Sequence, residues 1–81
     1  MKFFLSKYAL TGGIKEVEGK MMAGDMKGFV YAKLDGYENI YVIGRDVHEI
    51  REAAVEAAET MRKRKIASLQ KQIAKLEKLS F

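Results

Sequence analysis

Residues 46–81 read DVHEIREAAVEAAETMRKRKIASLQKQIAKLEKLSF, thirty-six positions without a glycine or a proline. With neither helix breaker present, the stretch predicts one long C-terminal helix. Asp46 stands where it would cap that helix, and Glu49 three positions on completes something close to a capping box. Val47, Ile50, Ala54, Ala57 and Met61 then recur at spacings of three and four, with Glu49, Glu52, Glu56 and Glu59 between them. A basic knot, Arg62-Lys63-Arg64-Lys65, ends this first half. Beyond it Ile66, Leu69, Ile73 and Leu76 alternate spacings of three and four, a short coiled-coil signature. The two apolar stripes fall on different faces of one straight helix, so either the helix bends near 62–65 or the stripes have different partners.

Length helps to decide. A helix of about 34 residues is about 51 Å long, whereas a compact chain of this size is about 30 Å across. A straight helix therefore overshoots the globule, and the overshooting residues are those bearing Ile66, Leu69, Ile73 and Leu76. An apolar line left in water is a liability, which predicts self-association, a dimer, or another protein partner. Ile at a and Leu at d favours parallel two-stranded coils. The flanking Lys63, Lys65, Gln70, Gln72 and Glu77 specify pairing weakly, which leaves an antiparallel arrangement open. The alternative is a helix that turns at the basic knot and folds back over the rest of the chain.

Upstream, Phe3, Phe4, Leu5, Tyr8 and Leu10 form a strand-prone run before the turn signal Thr11-Gly12-Gly13. A second strand from Ile14 to about Met22 folds back, with Lys7 opposite Glu18, Tyr8 opposite Val17 and Phe4 opposite Met21. Phe4, Tyr8, Val17 and Met21 then share a face, and Ser6 with Gly19 leaves a shallow slot in it. After a break at Ala23-Gly24-Asp25, Phe29 to Leu34 and Tyr37 to Ile43 flank Asp35-Gly36, a type I′ hairpin signal. That register sets Lys33 against Glu38, Tyr31 against Ile40 and Phe29 against Val42. The expected architecture is α+β in a single domain, 1–81: a four-stranded antiparallel β-meander over 1–45, then the long helix over 46–81.

Composition narrows the functions. The chain has 81 residues, 48% of them hydrophobic, no Cys, and a net charge of +4. No disulfide or thiolate metal site can form. The apolar start stops at Ser6-Lys7, and no run is long enough to span a bilayer, so the expectation is a soluble, cytoplasmic protein. Charge is segregated: residues 46–61 carry −4 and residues 62–81 carry +6. The helix macrodipole favours that order without any ligand. The single His, His48, reads as a surface or boundary residue. Ser6, Ser68 and Ser80 lack an evident base, no glycine loop matches a phosphate-binding pattern, and nothing marks Glu16 and Glu18 as a catalytic pair. The sequence therefore predicts a non-enzymatic protein with no cofactor and no metal. Nucleic acid is the rival partner, through Arg62, Lys63, Arg64, Lys65, Lys71, Lys75 and Lys78, with sheet aromatics as stacking platforms. The four-residue basic run, the acids before it and the short zipper depart from a basic-zipper protein.

The segment Lys7-Tyr8-Ala9-Leu10-Thr11 with Gly13-Ile14 resembles the N-terminal part of a group of short accessory proteins met in phage and prophage genomes. Lys65-Ile66-Ala67-Ser68-Leu69-Gln70-Lys71-Gln72-Ile73-Ala74-Lys75-Leu76-Glu77 with Phe81 resembles their ending. The resemblance covers about a third of the chain and brings no functional residue with it. It implies a mobile-element accessory role in the host cytoplasm, such as interfering with a host defence or regulatory complex.

Overall fold

The computed structural model describes residues 1–22, 24 and 28–81. Its elements are β1 (Lys2–Leu5), a one-turn helix α1 (Ala9–Gly12), β2 (Lys15–Met22), β3 (Tyr31–Leu34), β4 (Ile40–Val42), β5 (Val47–His48) and α2 (Arg51–Glu77). The class is α+β, as expected, but the sheet has five strands rather than four, in the order β4-β3-β2-β1-β5. All its ladders are antiparallel. The outer strands approach each other where Ile43 bridges Val47, so the sheet curls round on itself. Phe3, Leu5, Ala32, Leu34, Tyr41 and Val47 fill the interior, with Val17, Tyr37 and Ile43 packed against them.

The longest strand, β2, carries the curl. Its first half pairs with β1 and its second half with β3. Gly19 sits at the changeover, its N–H donating to Met1 O at 2.9 Å while its Cα lies opposite Leu34. A Cβ at Gly19 would stand 2.6 Å from Lys33 O and 2.9 Å from Leu34 Cδ2, so only glycine allows β3 to come this close.

The first hairpin differs from expectation in register. Glu18 lies opposite Lys2 rather than Lys7, and Val17 opposite Phe3 rather than Tyr8, a displacement of five residues. The chain after β1 makes a helical turn instead of a tight one, with Gly12 N–H donating to Tyr8 O and Gly13 N–H to Ala9 O. Because the displacement is odd, the faces exchange: Phe3 and Leu5 are buried and Phe4 is only half-buried. The cause lies at the end of β1, where the N–H groups of Ser6 and Lys7 donate to Asp46 O on the opposite side from β2.

In the second hairpin Lys33 lies opposite Ile40 and Tyr31 opposite Val42, a slip of two residues that preserves the faces. Asp35 keeps a negative φ and gives its N–H to Glu18 O at 2.9 Å, and only Gly36 adopts positive φ, at 83°. The turn is therefore of type II character rather than I′. Phe29 precedes the strand. The expected break at Ala23 and Asp25, and the lead-in at Met26-Lys27, lie outside the described residues.

The helix begins at Arg51, five residues later than Asp46, because Val47 and His48 pair with Leu5 and Phe4 as β5. Ile50 is extended and no side chain caps the first turn; Glu52 there and Lys75 in the last turn suit the macrodipole. Helical structure runs unbroken through Arg62–Lys65 to Glu77. The helix rests on the sheet by a line of small residues, with Ala54 buried and Ala53, Ala57, Ala58 and Met61 half-buried. At 27 residues it is about 40 Å long. The molecule measures 56 × 27 × 22 Å, with a radius of gyration of 16.6 Å against about 12 Å for a compact chain of this length.

Candidate association surface on the distal helix

Every residue from Arg62 to Phe81 is exposed. The distal half of α2 therefore projects from the globule and does not fold back over the sheet. At about 100° per residue, Ile66, Leu69, Ile73 and Leu76 gather on one face, about 100° round from the line of Ala54, Ala57 and Met61 that touches the sheet. Exposure along that face runs from 42% at Ile66 to 67% at Leu76. The same face extends back through Arg62 to Val55, which is also exposed. A shallow cleft of about 360 Å³ beside Val55 is lined by Arg51, Glu52 and Glu56.

Between Val55 and Ile66 the line is interrupted by an ion pair. Arg62 donates from Nη2 to Glu59 Oε2 at 2.8 Å and from Nε to the same oxygen at 3.2 Å. The Arg62 hydrogen bond and charge hold the Glu59 carboxyl below its ordinary value. The remaining cations do not form one patch. By the same projection Arg64, Lys71, Lys75 and Lys78 share the face opposite the apolar line, whereas Lys63 and Lys65 flank the line on either side. The distal helix is thus apolar on one side and basic on the other.

A second constellation escaped sequence reasoning. Ser6, Asp46 and His48 are all buried, and Ser6 Oγ lies 3.0 Å from His48 Nε2. Ser6 Oγ also donates to Asp46 O at 3.2 Å. A carbonyl can only accept, so the hydroxyl proton goes to Asp46 and His48 donates from Nε2, leaving Nδ1 bare in the neutral ring. The Asp46 carboxylate accepts from Val42 N–H at 3.1 Å and from the Arg45 guanidinium at 3.2 Å. Burial pushes that carboxyl up, but Arg45, the Val42 N–H and the charge of Lys7 together hold it below the ordinary range. Burial lowers His48, against the pull of Asp46. His48 is thus a buried strand residue rather than a surface one, and Ser6 does have an imidazole partner. The Ser6 hydroxyl is fully buried, so this cluster clasps β1 to the β4–β5 turn and presents no nucleophile to solvent. No periodicity announces a contact between residues forty-two positions apart.

His48 also lines a cleft of about 360 Å³ between the β4–β5 turn and α2, together with Gly44, Ala53, Glu56, Ala57 and Thr60. On the other side of the clasp, Tyr41 packs edge-on against Tyr8 and Tyr37, with ring centroids 6.4 and 6.0 Å apart. The Lys7 ammonium stands 5.6 Å from the Tyr41 ring centre. Glu16 and Glu18 do not act together: Glu16 pairs with Lys2 and Glu18 with the N-terminal amine. Among the described residues no helix is long and apolar enough to cross a membrane. Comparison with family models, curated proteins and solved structures returns no match.

Proposed function

We propose that the protein is an interaction module that works by contact rather than catalysis, pairing with a second copy through Ile66, Leu69, Ile73 and Leu76 and engaging another protein. The observation that carries this reading is an aligned Ile/Leu line on a helix that is exposed from Arg62 onward. Such a line gains free energy only when covered. Among the described residues nothing covers it, since the half-buried positions of α2 end at Met61. Two heptads hold weakly by themselves, so the pairing is concentration-dependent and is strengthened by a further partner. The test is light scattering over a concentration series, with Leu69→Glu as the variant that abolishes pairing and reversal of Lys71, Lys75 and Lys78, on the opposite face of the helix, as one that leaves it standing.

A second reading is binding to a polyanion such as nucleic acid. It is favoured by the alignment of Arg64, Lys71, Lys75 and Lys78 on the helix face opposite the apolar line. The two readings use different faces and are compatible. A salt-dependent titration of DNA and RNA against wild type and a reversal of Arg64, Lys71, Lys75 and Lys78 separates them.

A further inference from the structure

We infer that the second copy lies antiparallel, with the twofold axis crossing α2 at Lys71, an inference that rests on the self-association reading above. The two polarities bring different charges together. With Ile66 and Ile73 at a and Leu69 and Leu76 at d, the preceding core positions are Glu59 at a and Arg62 at d. A parallel, in-register pair stacks each core residue on its own copy. Glu59 then meets Glu59 and Arg62 meets Arg62 directly below the Ile66 layer, although within one chain these two side chains already neutralise each other at 2.8 Å. Parallel pairing also sets Glu77, the one acid among residues 62–81, against Gln72 of the other copy.

Reversing the partner removes both conflicts. When Ile66 lies opposite Leu76 of the second copy, Ile73 lies opposite Leu69, and symmetry completes four Ile–Leu layers. Arg62 no longer faces another cation and Glu59 no longer faces its own copy, so the ion pair within each chain stays intact. At the flanking e positions of an antiparallel pair, Lys63 falls opposite Glu77, within about two residues of helical rise, and it does so twice. Gln70 and Gln72 each meet their own copies across the axis. The macrodipoles oppose, which also favours this polarity. The Arg64, Lys71, Lys75 and Lys78 face stays outside on both helices. The resulting assembly is a rod with a globule at each end.

Pulsed electron paramagnetic resonance on Glu56→Cys carrying a nitroxide tests the polarity, because the chain has no other thiol and Glu56 is exposed. The antiparallel pair sets the two labels about 45 Å apart, thirty residues of rise, whereas a parallel pair brings them within about 25 Å. A distance under about 25 Å overturns the polarity and leaves the dimer standing. A monomer in light scattering on the same sample overturns the polarity and the self-association reading together. A charge-swap cycle gives a second readout. Lys63→Glu and Glu77→Lys each weaken pairing by about fivefold, and the double variant recovers wild-type affinity if the partner is antiparallel. Additive loss in the double variant contradicts the pairing of Lys63 with Glu77.

Discussion

Ser6 Oγ and His48 Nε2, forty-two residues apart in the chain, meet at 3.0 Å with both side chains buried. This contact, together with three hydrogen bonds into Asp46 O, joins the end of β1 to the turn before β5. It ties β1 to the segment that leads through β5 into α2. Ser6→Ala leaves the His48 N–H and one lone pair of Asp46 O without their partner. The expected loss is about 1–3 kcal/mol of unfolding free energy, read as a lower urea midpoint with an unchanged slope.

Both titratable members of the clasp weaken the fold on acidification. The buried His48 ring has its pKa lowered, so as pH falls below about 6.5 the unfolded chain takes up a proton that the folded chain resists. The Asp46 carboxyl is held below its ordinary value, so its contribution is complete above about pH 4 and is lost as pH falls through the lowered value. Melting temperature should therefore decline between pH 7 and pH 5 as His48 takes up its proton, and again in acid as Asp46 does. His48→Asn should flatten the first part only; equal slopes in wild type and variant would contradict the assignment.

Gly19→Ala forces a Cβ against the backbone of β3 at a point where β2 changes partners. Neither Lys33 O nor Leu34 can withdraw without opening the ladder. The expected cost is about 2–3 kcal/mol, with faster amide exchange at Leu34 and Asp35 as the local signature.

Tyr41 should titrate well above the ordinary tyrosine value. Its hydrogen bond with the Tyr8 side chain, burial, and the proximity of Tyr8, Tyr37 and Asp46 push it up to about 12. Ultraviolet difference titration should show a tyrosine step near pH 12 that is lost in Tyr41→Phe, and Tyr8→Phe should bring that step down.

The class of the fold was legible in the sequence, and its closure was not. The absence of Gly and Pro after Gly44 and the two hairpin signals correctly announced a sheet followed by a long helix. Asp46 misled, because an acidic residue three positions before Glu49 fits a helix cap as well as it fits a turn, and only the burial of Val47 against Leu5 decides for β5. The Gly12-Gly13 pair misled in the same way: it permits a tight turn, but the bonds drawing Ser6 and Lys7 to Asp46 make a helical turn the better solution. Such long-range contacts leave no periodic trace. The exposed Ile66–Leu76 line was readable because it is local, a matter of spacing alone.

Leu69→Glu should leave the monomer's melting temperature within about 4 °C of wild type, since Leu69 lies outside the core cluster and surface substitutions of this kind usually change stability by less than about 0.5 kcal/mol. A variant that unfolds would mean that the distal helix packs on its own globule.

The most direct measurement of the central claim is the solution mass by multi-angle light scattering from micromolar to near-millimolar protein, for wild type and Leu69→Glu. Wild type should rise toward twice 9.2 kDa with concentration while the variant stays at 9.2 kDa. A wild-type mass of 9.2 kDa across the whole range, or a dimer that survives Leu69→Glu, would contradict association through the Ile/Leu line.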